Sequence, residues 1–178
     1  MAGKRVVMVV APEGFRDEEF AVPRDYFQSH GISVAAASVR KGVCRGVMGT
    51  QADATLSLAE LKAADFDAVV FVGGPGTPAV RKEGEALRIA REFSSAGRVV
   101  AAICWAGTIL AKAGVLRGKN ATVWFGNDAE YGMDTGKVLE KSGAHYTKEG
   151  VTVDGKLVTA DGPRNAGRFA EEIVKALG

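Results

Sequence analysis

The sequence predicts a single α/β domain over residues 1–178, built on a mostly parallel sheet with helices on both faces. Three observations predict it. Four apolar, β-branched runs recur: Val6–Val10, Ile32–Ala37, Ala68–Val72 and Val99–Ile103. Helical patterns separate them, and such alternation builds βαβ units whose strands are buried on both faces. The first two helical patterns run into Gly31 and Gly97, residues suited to the left-handed conformation that closes a helix.

Val6–Val10 reads as the first strand; it is too short for a signal-peptide core and leads directly into Pro12, Glu13 and Gly14. A helix follows from Asp17 or Glu18 to His30, with Phe20, Tyr26 and Phe27 available to a core. Pro23 falls inside it and removes one helix hydrogen bond. After the strand at Ile32–Ala37, the alternating, glycine-interrupted stretch from Val43 to Thr55 predicts short antiparallel excursions. Ala68–Val72 is a buried strand ending in Gly73-Gly74-Pro75-Gly76, and Glu83–Ala96 is the next helix. Val99–Ile103 leads through Cys104-Trp105-Ala106-Gly107 into a helical pattern carrying Ile109, Leu110, Ala111 and Ala113. Asp154-Gly155, set between alternating residues of Gly150–Thr159, predicts a C-terminal β-hairpin with a type I′ turn, and Ala166–Leu177 closes the chain as a helix.

Hydrophobic residues make up 47% and charged residues 25%, ordinary values for a globular protein; the net charge of +2 gives no one-sign field to attract nucleic acid or a membrane surface. No apolar stretch approaches the roughly 18 residues of a membrane helix. Two cysteines, Cys44 and Cys104, suffice for neither a disulfide framework nor a zinc site. The expectation is a cytoplasmic protein without metal or cofactor.

Cys104 is the most informative residue. A strand that turns sharply into a helix lifts the turn side chain off the sheet end, as in nucleophile elbows, and a helix N-terminus lowers a thiol pKa. An inert core thiol fits the same segment equally well. Gly73 and Gly74 suit backbone N–H groups aimed at an oxyanion, or a plain tight turn, and lack both phosphate-binding fingerprints. Asp17-Glu18-Glu19 suits a helix N-terminus by its charge alone, yet a carboxyl beside an exposed thiol serves acid/base chemistry. His30 and His145 are remote from Cys104 in sequence. Cys44, between Lys41 and Arg45, reads first as a strand thiol; Trp105 suits a pocket wall and Trp124 suits core packing.

Ala101-Ala102-Ile103-Cys104-x-Ala106-Gly107, followed by Leu110-Ala111-x-Ala113-Gly114-Val115-Leu116, resembles the nucleophile elbow of the ThiJ/PfpI superfamily. Lys4-Arg5-Val6-Val7, Glu19-x-x-x-Pro23, Val72-Gly73-Gly74 and Asp154-Gly155…Asp161-Gly162-Pro163 agree in order, so the resemblance covers nearly the whole chain. It implies a flavodoxin-like three-layer sandwich and a homodimer or higher homo-oligomer. It also implies Cys104 as nucleophile, Glu19 as a protonated carboxyl bonded to its sulfur, and the N–H groups of Gly74 and Trp105 as oxyanion site, with Gly73 shaping the turn. The sequence departs from the pattern at two positions. Members regarded as intracellular proteases carry histidine directly after the cysteine, where this chain has Trp105; another branch has a downstream histidine, matched here by Trp124. Phe125–Thr135 is longer than in close relatives, in a place suited to shaping a pocket or an oligomer contact. The His-x-Glu pair of glutamine amidotransferases is missing, since Tyr146 and Thr147 follow His145.

These residues lead first to a cofactor-independent cysteine enzyme acting on small reactive carbonyls, of the glyoxalase or deglycase type. The same thiol suits an oxidation sensor or chaperone-like protein with a Cys104 sulfinic acid. A PfpI-type peptidase is disfavoured by Trp105, and isocyanide hydration is a further activity within the superfamily.

Overall fold

The structure, a computed structural model, describes residues 3–178. Nine strands form the central sheet: β1 (Arg5–Val9), β2 (Glu13–Phe15), β3 (Ser33–Ser38), β4 (Gly42–Gly46), β5 (Gln51–Ser57), β6 (Ala68–Phe71), β7 (Val99–Ile103), β8 (Val151–Asp154) and β9 (Leu157–Ala160). Their spatial order is β8-β9-β7-β6-β1-β3-β5-β4-β2. The pairs β1/β3, β1/β6, β6/β7, β9/β7 and β3/β5 are parallel. Six helices complete the fold: α1 (Asp17–Ser29), α2 (Thr77–Arg81), α3 (Gly84–Ser95), α4 (Gly107–Ala113), α5 (Thr135–Lys141) and α6 (Ala166–Leu177). This is the flavodoxin-like sandwich.

Strand periodicity sorts the core into two layers. From β1, Val7 and Val9 join the cluster holding Ile89, Phe93, Ile109 and Leu110 of α3 and α4. Val6 and Met8 face the other side, with Phe20 and Phe27 of α1 and Phe169 and Ile173 of α6. Burial on both faces is why the central strands read as unbroken apolar runs.

The excursions at 43–55 are the antiparallel pair β4/β5, although β5 also runs parallel to β3. The hairpin β8/β9 is present, with Asp154 paired to Leu157. Its loop is Gly155-Lys156 rather than Asp154-Gly155, and Gly155 has φ +62° while Lys156 is not in the positive region. A type I′ turn needs positive φ at both loop residues, so the expected type is corrected to one with a single glycine-filled left-handed site. Pro23 lies within α1 without ending it. No helix among the described residues is long and apolar enough to cross a membrane.

Candidate active site

Neighbouring parallel strands end side by side, which brings remote segments together at their carboxyl ends. Phe71 of β6 pairs with Ala102 of β7, so Gly73-Gly74 and Cys104 emerge next to one another, and β1 on the other flank delivers the turn into α1. Backbone hydrogen bonds lock these loops: Arg16 N–H to the Gly73 carbonyl at 2.9 Å, and Trp124 N–H to the Cys104 carbonyl at 3.3 Å.

Cys104 has φ +61°. A non-glycine residue rarely adopts this conformation, which costs on the order of 1–2 kcal/mol and clusters at functional sites. The strand enters at Ile103 in an extended conformation, and a 3₁₀ turn, Cys104–Ala106, leads into α4. The result is an elbow that holds the half-buried thiol at the sheet end.

The acidic trio divides three ways. The buried Asp17 carboxylate accepts the N–H groups of Met48 and Thr50, both at 2.8 Å, and holds the β4–β5 turn. Glu18 pairs with Arg16 at 2.9 Å near the surface. Glu19 alone points toward Cys104: it is fully buried, and its Oε2 accepts the Gly73 N–H at 3.0 Å. Burial, against the pull of hydrogen bonds from Cys104 and Gly73, pushes the Glu19 carboxyl up to about 7. Its Oε1 has no conventional partner.

Burial and the neighbouring Glu19 charge push the Cys104 thiol up, opposed by the N–H groups of Trp105 and Gly74 directed at the sulfur. The expectation of a thiol acidified by a helix N-terminus is therefore corrected. The first cause is burial of the thiol itself, and the second is the buried carboxylate: an ionised Glu19 and a thiolate are like charges in a poorly hydrated site, so the pair keeps one proton after losing the first.

Gly73 sits between the two groups. A Cβ there would lie 2.6 Å from the Ile103 carbonyl oxygen, 2.7 Å from Glu19 Oε2 and 2.8 Å from the Cys104 Cβ. Gly73→Ala is accordingly expected to lower stability by about 1–3 kcal/mol, visible as a reduced urea midpoint.

Arg16, Glu19, Gly74, Pro75, Cys104, Trp105, Trp124 and Pro163 line a cleft of about 400 Å³. Apolar walls with a few convergent polar groups are the usual make-up of a small-molecule site. Of the residues predicted from sequence, Cys104, Glu19, Gly74 and Trp105 line this cleft, and Gly73 packs between Glu19 and Cys104. Trp124 is a correction: its ring lies 5.6 Å from that of Trp105 and it forms a cleft wall, partly exposed, instead of packing in the core. Its place follows from the loop after β7, to which its backbone is bonded.

The chain matches the DJ-1/PfpI family over residues 4–176. It belongs to that family. It is similar to an uncharacterized protein of Methanocaldococcus jannaschii (36% identity, covering 99% of this chain and 84% of the relative). It is also similar to the deglycase PfpI of Pyrococcus furiosus (30% identity, covering 96% and 98%). Among solved structures, a ThiJ/PfpI domain protein from Brachyspira murdochii superposes with a TM-score of 0.88 at 30% identity, covering 98% of each chain.

Within this DJ-1/PfpI fold the two histidines stand apart from the cleft. His30 stacks on Tyr26 at the end of α1, and His145 lies in a short strand paired with Asn120. Cys44 is buried in the core layer of α1 and α6. Sequence reasoning missed a charged cluster behind the cleft. Asp128, fully buried, accepts the Trp105 Nε1–H at 2.8 Å and pairs with Arg81 at 2.5 Å. Arg81, also fully buried, reaches Glu130 at 2.6 Å, and its guanidinium lies 4.8 Å from the Tyr131 ring centroid. The segment Phe125–Thr135 carries these partners on the short antiparallel pairing of Asn127–Asp128 with Met133–Asp134. Two carboxylates and a tyrosine within Asp128–Tyr131 were the only sequence signal for it.

Proposed function

We propose that this protein is a cofactor-independent cysteine enzyme acting on small reactive carbonyls, of the deglycase or glyoxalase type. Cys104 is the nucleophile and Glu19 its acid/base. The observation that carries this reading is the coupled Cys104–Glu19 pair at a strained elbow, with a carboxyl pKa of about 7 suited to proton transfer near neutrality. Relatives named as deglycases support the coarse activity.

With an α-oxoaldehyde in the cleft, Glu19 accepts the thiol proton as the sulfur bonds to the aldehyde carbon. The carbonyl π electrons move to oxygen, which faces the N–H groups of Gly74 and Trp105 and takes the proton from Glu19 to give a hemithioacetal. Glu19 then moves the proton of that carbon to the neighbouring carbonyl oxygen, giving an enediol, and next takes the hydroxyl proton from the sulfur-bearing carbon and delivers it to the neighbouring carbon, leaving a 2-hydroxy thioester. Water cleaves the thioester and a proton returns to sulfur. One carbon is oxidised and its neighbour reduced, so the electrons balance within the substrate. Where the aldehyde is held by an amine as a carbinolamine, the sulfur displaces nitrogen, and the thiol proton passes through Glu19 to the departing amine. The cleft offers no imidazole among its described lining residues, so the carboxyl is the only acid/base adjacent to the sulfur. This is why the reading favours carbonyl chemistry over a Cys-His peptidase.

Steady-state conversion of methylglyoxal to lactate tests it. Wild type is expected to turn over and Cys104→Ser to fall to background. Equal rates in both, or conversion in neither, contradicts the proposal.

A further inference from the structure

Trp105 is held at both ends by one buried arginine. Its indole Nε1–H donates to Asp128 Oδ2 at 2.8 Å, and Arg81 Nη1 donates to the same oxygen at 2.5 Å. Arg81 Nη1 also donates to Thr108 Oγ1 at 2.8 Å, and the Thr108 hydroxyl donates to the Trp105 carbonyl at 2.8 Å. The four residues form a closed circuit, indole to carboxylate to guanidinium to hydroxyl and back to the Trp105 backbone.

Three features make this more than packing. The 3₁₀ turn Cys104–Ala106 has no side-chain cap of its own, and it begins with a residue at positive φ, so its geometry needs outside support. Arg81 and Asp128 have no exposure at all, and a buried ion pair is seldom a net gain in stability over apolar packing of the same volume. Trp105 directly follows Cys104 in that turn and lines the same cleft, so fixing its two ends fixes the turn that presents the sulfur.

We propose that Asp128, held by Arg81, is a positioning residue for the cysteine site: it clamps the Trp105 indole and thereby the turn that presents the Cys104 sulfur. The role also accounts for Phe125–Thr135, the segment that delivers Asp128. It rests on Cys104 being the nucleophile and not on the identity of the carbonyl substrate.

The test reads the sulfur directly, by the rate of Cys104 alkylation with iodoacetamide at pH 8, followed by mass. Trp105→Phe removes the indole donor and leaves the ion pair; Asp128→Asn weakens the clamp from the other side. Each is expected to slow alkylation about 5–10-fold, the scale of one misplaced hydrogen bond. The double variant is expected to be no slower than the slower single one, because both act through one contact. Glu130→Gln, which touches Arg81 without touching the indole, is expected to stay within about twofold. Should Asp128→Asn not fold, Thr108→Val opens the circuit at its other end without removing a charge and takes its place in the same comparison. Single effects that multiply, a Glu130→Gln loss as large as the others, or no slowing in Trp105→Phe overturns the proposal. These rates are independent of methylglyoxal turnover, so failure of the positioning role and failure of the carbonyl reading are separate outcomes.

Discussion

Glu19→Gln is expected to lower kcat for methylglyoxal by about 10²–10⁴, the range supplied by a positioned acid/base, with a smaller change in KM. The amide keeps the shape and an acceptor for the Gly73 N–H but takes no proton from sulfur. Wild-type kcat/KM is expected to rise with pH through about 7, because the carboxyl must be ionised to receive the thiol proton and burial has lifted it to that value. The variant should lose this rise. Stability moves the other way. The folded-state pKa of about 7 lies above the unfolded value of 4.5, so the folded protein binds the extra proton between those limits. This group's contribution is fully present below pH 4.5 and is lost as pH rises through 7. The loss amounts to roughly 3 kcal/mol at about 1.4 kcal/mol per unit. Glu19→Gln should therefore be more stable than wild type at pH 8 and should flatten the fall in urea midpoint from pH 5 to pH 8. An ionisable group retained at a cost in stability is the usual mark of a working site.

Arg81→Ala is expected to give the largest loss of stability, about 3–5 kcal/mol, because it strands the buried Asp128 carboxylate. Burial presses that carboxyl up, but hydrogen bonds from Arg81 and Trp105 outweigh it and hold Asp128 below the usual carboxylate range. Without the guanidinium the balance reverses. The Tyr131 ring would lose the guanidinium beside it, and the Thr108 hydroxyl would keep only its bond to the Trp105 carbonyl. The midpoint of urea unfolding at pH 7 measures the effect; a shift of less than about 1 kcal/mol would mean that the cluster relaxes without the arginine.

The four central strands and the C-terminal helix were legible because burial on both faces writes itself as apolar runs and as helical periodicity, and Ala166–Leu177 matches to the residue. The elbow was legible for a related reason: β7 is apolar up to Ile103, and the change of pattern at Cys104 marks the turn. Glu19 could be separated from Glu18 only by the resemblance, through its spacing to Pro23, since all three acids suit a helix N-terminus equally. Its burial depends on Gly73, 54 residues away, and no local pattern reports that. The short edge strand β2 lacks periodicity altogether. Arg81 reads as a surface charge because its partners lie 47 and 49 residues downstream, and Asp128 reads as loop because its segment is rich in glycine and polar residues. The thiol expectation failed in sign for the same reason: a helix end is visible in sequence, whereas the burial of the sulfur and the charge facing it are not.

The central claim is that Cys104 and Glu19 titrate as one unit that gives up its first proton near neutrality. The rate of Cys104 alkylation by iodoacetamide from pH 5 to pH 10, in wild type and in Glu19→Gln, tests this most directly. The account predicts an inflection near pH 7 in wild type that disappears in the variant, leaving only the alkaline rise of a buried thiol. The same inflection in both proteins, or a wild-type profile with only the alkaline rise, would contradict it.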